Sequence, residues 1–130
     1  MNLLNMLLIS LFLSGCSCRA DPLWNSCNGN TNISSSSRIS ANIDRLLAEV
    51  VSKTALTGYI ATSLGKDPDK VYGLAECRGD VSSKDCLSCI RDAAKQIRQR
   101  CPNQADARIW YDYCFLRYNK DYFVREVNTS

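Results

Sequence analysis

The sequence contains no histidine. That absence excludes Ser-His and Cys-His nucleophilic mechanisms, and any zinc site that needs an imidazole. Long apolar runs are missing as well. The longest, Leu3 to Leu13, is eleven residues, whereas a hydrocarbon core of ~30 Å asks for about twenty. Charge of one sign does not collect anywhere. The 16 basic and 13 acidic side chains are spread along the chain, so no stripe suited to nucleic acid is visible. There is no internal repeat and no low-complexity linker, and 130 residues suit one domain. At 45% hydrophobic and 22% charged, the composition is that of a folded protein rather than a disordered one.

What the chain does have is cysteine, eight in all. Two of them, Cys16 and Cys18, lie in or just after the apolar run, which has the length of a signal-peptide core. Small residues follow at Ser14, Gly15, Ser17 and Ala20, so residues 1–20 read as a signal peptide and residues 21–130 as the single mature domain. Leu13-Ser14-Gly15-Cys16 also resembles a bacterial lipobox, but the rest of the chain points elsewhere. Removing the leader takes Arg19 with it and lowers the formal charge from +3 to about +2.

Six cysteines then remain: Cys27, Cys77, Cys86, Cys89, Cys101 and Cys114. In a secreted domain of this size they read as three disulfides, with fifteen pairings open. Asn32-Ile33-Ser34 and Asn128-Thr129-Ser130 are N-glycosylation sequons, which agrees with secretion.

Local patterns outline the fold. Asn25 to Ser37 is rich in Asn, Ser, Gly and Thr and reads as a loop held by Cys27. Ile39, Ile43, Leu46, Leu47 and Val50 recur at helical spacing, predicting an amphipathic helix over roughly 40–54. Tyr59 to Leu64 and Lys70 to Cys77 flank turn chemistry and predict a hairpin. Ser82 and Asp85 resemble a capping box opening a second helix, whose apolar face is Cys86, Ile90, Ala93, Ile97 and Cys101. Pro102 stops that helix, and residues 107–123 are dense enough in aromatic and β-branched types for one or two strands. Helices and strands that do not alternate regularly predict an α+β fold.

Cys86-Leu87-Ser88-Cys89 is a CxxC at a helix start, where the helix dipole lowers a thiol pKa. A thioredoxin-like or redox-sensing thiol pair is the sharp reading of this motif. A static disulfide framework is the plainer one, and a zinc cluster lacks its second CxxC.

Cys77, Cys86 and Cys89, with the surrounding Tyr72-Gly73-Leu74-Ala75-Glu76-Cys77-Arg78-Gly79-Asp80 and Trp110-Tyr111-Asp112-Tyr113-Cys114-Phe115-Leu116-Arg117-Tyr118, carry a resemblance. The chain resembles the plant cysteine-rich repeat secretory proteins and their ginkbilobin-homologous, or stress-antifungal, domain over residues 22–123. The resemblance implies two helices packed on an antiparallel sheet of about five strands. It also implies disulfides Cys27–Cys101, Cys77–Cys86 and Cys89–Cys114, which sends the two cysteines of the CxxC to different partners.

Some relatives of this type bind mannose and inhibit fungal growth. Their sugar site, carried over by position, falls on Asn28, Arg108 and Asn119. Those relatives have Glu where Asn119 stands. Loss of one charge-assisted bond, about 1.5–3 kcal/mol, weakens a sugar by roughly tenfold to a hundredfold. Plainer roles stand beside each residue: a turn for Asn28, a salt bridge with Asp106 or Asp112 for Arg108, a turn or strand end for Asn119. The expectation is a catalytically inert, secreted binding module of the apoplast, of stress or defence type, needing no cofactor or metal. Its partners would be mannose-type glycans or extracellular protein domains, with no nucleic acid and no membrane span.

Overall fold

The computed structural model describes residues 21–123, so residues 1–20, the proposed leader, and Asn128 lie outside the described residues. The chain runs β1 (Trp24–Cys27), α1 (Arg38–Thr57), β2 (Tyr59–Leu64), β3 (Val71–Cys77), α2 (Ser83–Arg100), β4 (Asp106–Trp110) and β5 (Cys114–Asn119). All five strands form one antiparallel sheet in the order β1-β4-β5-β3-β2. Both helices pack on one face of it, giving a two-layer α+β domain.

Helix α1 begins where Ser37 accepts a hydrogen bond from the Ser40 N–H and ends at Gly58, whose φ of 82° suits only glycine well. It is therefore longer than the 40–54 predicted, because both caps lie outside its apolar stripe. Ile43, Leu46, Leu47 and Val50 turn inward, and Leu46 rests on the sheet at Gly73, where a Cβ would come within 2.7 Å of its side chain. Helix α2 opens at Ser82, whose hydroxyl accepts from the Asp85 N–H at 3.1 Å, and buries Cys86, Ile90, Ala93 and Ile97. Arg98 links the layers: it donates to Asp44 at 2.9 Å, to Ser40 at 2.8 Å and to the Tyr118 hydroxyl at 3.5 Å.

The loop expected over Asn25–Ser37 is a correction. Its first part, with Trp24, is the edge strand β1, paired to β4 from Trp24↔Trp110 to Cys27↔Ala107. Asn25 and Ser26 lack β propensity, so pairing with β4 and the Cys27–Cys101 bond hold them extended. The region 107–123 resolves into two strands joined by a turn at 111–113.

Disulfides join Cys27 to Cys101, Cys77 to Cys86 and Cys89 to Cys114. Cys86 and Cys89 thus have different partners and both are buried. The thiol-redox alternative needs these two sulfurs as one reversible pair, and that pair does not exist here.

Candidate functional site

One face of the sheet is consumed by the helices; the other is where side chains are presented. Strand register places three rows across that outer face. The first is Trp24, Trp110, Phe115, Glu76 and Tyr59. The second is Ser26, Arg108, Arg117, Leu74 and Ala61. The third is Asp106, Asn119, Tyr72 and Ser63, with Asn28 continuing it beyond β1. After Asn119 the chain turns back over this face, setting Tyr122 edge-on to Tyr72 and Phe123 over the Arg117 guanidinium at 4.2 Å.

Asn28, Arg108 and Asn119 all fall on this face, at the β1–β4–β5 side, but they are not equivalent. The Asn28 amide donates to Asp106 Oδ2 at 3.2 Å, and its Oδ1 accepts from the Asn30 N–H at 3.0 Å. It builds a turn and at the same time leans on a carboxylate. Asn119 is buried, and its Oδ1 accepts from the Asp121 N–H at 3.1 Å, which shapes the return of the chain. Arg108 is half-buried between Ser26 and Arg117. Among the described residues it makes no ion pair. The expected salt bridge is corrected: Asp106 faces Arg117 at 3.7 Å, and Asp112 accepts from Arg78 at 3.1 Å.

Two participants were missed by the sequence reading. Asp106 lies opposite Asn119 across β4 and β5, so a carboxylate stands one strand away from where the resemblance expects Glu. It is 9% exposed, and its Oδ1 has no hydrogen bond among the described residues. The clue was the alternation Asp106, Arg108, Trp110, which puts all three on one face of a strand. Trp24 is the other. It stacks on Trp110 at 4.4 Å, Trp110 meets Phe115 at 5.0 Å, and Trp24 stays 59% exposed. Together Arg108 and this aromatic row offer guanidinium donors beside flat apolar surface, a chemistry suited to sugar hydroxyls and C–H faces or to a protein surface.

A concave region around the 111–113 turn adjoins the first row and shares Glu76, Trp110 and Phe115 with it. There Arg78 bridges Asp80 at 2.7 Å and Asp112 at 3.1 Å, and lies over the Tyr113 ring. The hydrogen bond from Arg78 holds the Asp80 carboxyl below the usual carboxylate range. These groups satisfy one another. Nearby, Tyr111 donates to Asp92 of α2, and desolvation first, then that carboxylate, push its phenol pKa well up. Among the described residues no three acidic, cysteine or histidine side chains gather to hold a metal ion. None of the described helices is long and apolar enough to cross a membrane.

The architecture defines the class: a cystine-stapled, two-layer α+β domain with both helices on one sheet face and an aromatic row on the other. The chain belongs to the salt stress response/antifungal family, whose profile matches residues 26–121. It is 55% identical to cysteine-rich repeat secretory protein 55 of Arabidopsis thaliana over 118 residues, 88% of this chain and 45% of that protein. It is 38% identical to an antimicrobial ginkbilobin-2-like protein of Castanea crenata, over 97% of this chain and 52% of that one.

Among solved structures, the tandem DUF26 ectodomain of the Arabidopsis thaliana cysteine-rich receptor-like protein PDLP5 matches with a TM-score of 0.76 at 29% identity. That match covers 80% of this chain and 52% of that chain. The chain thus spans about half the length of these relatives. The family and fold are those of secreted proteins and receptor-like ectodomains.

Proposed function

We propose that this domain is a secreted, non-catalytic binding module of plant stress or defence type, engaging its partner through the outer sheet face. The observation that carries the reading is the contrast between the two faces. The inward positions are spent on core packing, disulfides and contacts to the helices, such as Asn25 with Arg100 and Thr62 with Glu49, while the outer face keeps Trp24 exposed and leaves Arg108 without an ion pair among the described residues. The apoplast is the compartment that the disulfides and the secreted relatives favour.

The sharper alternative is a mannose-binding antifungal lectin using Asn28 and Arg108. Its support is the carboxylate of Asp106 beside Asn28, which is a charged acceptor where Asn119 has only a neutral amide. Calorimetric titration of the oxidised domain with mannose and mannan tests it, alongside Arg108→Ala and Asn119→Glu. Saturable heat that is lost in Arg108→Ala supports a glycan site on this face. Equal heat in both proteins removes Arg108 from the site. If only Asn119→Glu gives heat, the scaffold of the sugar site is kept while the native ligand has changed, and extracellular protein partners are the next to test.

A further inference from the structure

We propose that Asn32 carries an N-linked glycan in the secreted protein. This rests on one part of the preceding reading, secretion, and is otherwise independent of it. Asn32-Ile33-Ser34 is a sequon, but a sequon becomes a site only where the folded chain leaves room for the product.

The fold leaves that room. Ile33 is partly buried and packs on the core, while Asn32 and Ser34 on either side of it are exposed. The backbone is pinned around Asn32: the Ala105 N–H donates to the Thr31 carbonyl at 2.9 Å, and the Ile33 N–H donates to the Asn103 carbonyl at 2.8 Å. Asn32 itself bridges Gln104 in antiparallel register. Gly29, Asn30, Ser35 and Ser36 nearby are exposed too, so a bulky polar group meets solvent rather than packed side chains.

The amide is divided in the way the modification needs. Gln104 Nε2 donates to Asn32 Oδ1 at 3.2 Å, and Asn32 Nδ2 makes no hydrogen bond among the described residues. The sugar bond forms at Nδ2, and the product keeps its carbonyl oxygen, so the hydrogen bond from Gln104 survives. Asn28 differs, since it spends Nδ2 on Asp106, and Asn119 is buried. The donor is a lipid-linked oligosaccharyl pyrophosphate of the secretory route. Asn32 Nδ2 bonds to its anomeric carbon, and the glycosyl C–O bond breaks, its electron pair leaving with the lipid pyrophosphate. Nδ2 gives one proton to a base on the transferase, and nothing is oxidised or reduced.

Register fixes where the sugar chain stands. Gln104 is two residues from Asp106 and six from Trp110 along the chain, or about 7 Å and about 20 Å at strand spacing. The glycan therefore begins beside Asn28 and Asp106, at the far end of the outer face from the Trp24–Trp110–Phe115 row. That row stays open to a partner, while the Asn28 end is shared with the protein's own sugar.

The test uses the full chain secreted from plant cells. A peptide N-glycosidase active on plant-type glycans, used in heavy-oxygen water, converts a glycosylated asparagine to labelled aspartate. Mass spectrometry then reads the peptide with Asn32 apart from the one with Asn128. Wild type is expected to show the label at position 32. Ser34→Thr keeps the hydroxyl and should keep the label; Ser34→Ala leaves Asn32 in place and should lose it entirely. A free-thiol count of zero shows that each variant has formed its disulfides. A secreted, fully oxidised wild type with an unlabelled Asn32 overturns the glycan and leaves the secretory reading standing. A chain that stays inside the cell with free thiols and a bare Asn32 overturns both. A label that persists in Ser34→Ala, or a sugar found on serine in place of Asn32, overturns the N-link.

Discussion

Arg108 and Arg117 stand side by side across β4 and β5, yet their surroundings differ. Arg117 is 8% exposed, faces Asp106 at 3.7 Å and lies under the Phe123 ring; Arg108 reaches the surface. A buried charge that loses its counter-ion costs far more than the pair itself contributes. Asp106→Ala should therefore destabilise the domain by about 3 kcal/mol, seen as a lower urea midpoint at unchanged m-value. Arg108→Ala should shift the midpoint hardly at all, so the same pair of variants separates scaffold from surface.

Tyr111 carries a pH prediction. Its phenol pKa is raised in the folded chain by desolvation and by Asp92, above the ordinary value of about 10 that the unfolded chain retains. The native state thus keeps a proton that the unfolded state releases. This contribution is fully present below about pH 10 and falls as pH rises beyond it. Denaturation followed from pH 9 to 11 should show stability declining, and Tyr111→Phe should flatten that decline.

At the scale of elements, helix α1 meets the sheet at its closest where Leu46 covers Gly73. Gly73→Ala puts a methyl group within 2.7 Å of that side chain, so α1 must lift or Leu46 must change rotamer. Overpacking of this kind costs about 1–3 kcal/mol, and a thermal melt should show it, whereas Ser37→Ala at the helix start should cost only about 1 kcal/mol. Both helices were legible because an amphipathic stripe is a local signal: Ile43, Leu46, Leu47 and Val50 in one, Cys86, Ile90, Ala93 and Ile97 in the other. The hairpin of β2 and β3 was legible for the same reason, two β-rich runs around a turn. Strand β1 was not. Trp24-Asn25-Ser26-Cys27 is extended because β4 runs beside it, and nothing within the four residues records that neighbour.

For the whole molecule, Cys27–Cys101 spans 74 residues of sequence and ties the edge strand to the end of α2. Chain-entropy arguments assign a loop of this size roughly 4 kcal/mol. The Cys27→Ser, Cys101→Ser double variant should lose most of that in a denaturant titration, and it should also loosen β1 and with it Trp24. A near-ultraviolet circular dichroism spectrum would then lose the signal of the Trp24–Trp110 stack while the helical far-ultraviolet signal remains.

The sequence alone determined the class of fold, the two helices, the hairpin and a framework of three cystines, because periodicity, capping and cysteine count are properties of short stretches or of composition. It also brought Asn28 and Arg108 to notice through resemblance. Only the tertiary structure decided what stands beside them. Asp106 turns from Arg108 to Arg117 and Asn28, Asn119 folds into its own turn, and Trp24 joins Trp110 from 86 residues away. Those choices depend on the strand order β1-β4-β5-β3-β2, which brings distant segments into register. Which face of a strand meets the helices depends on where those helices pack, and no run of residues along the chain contains that information.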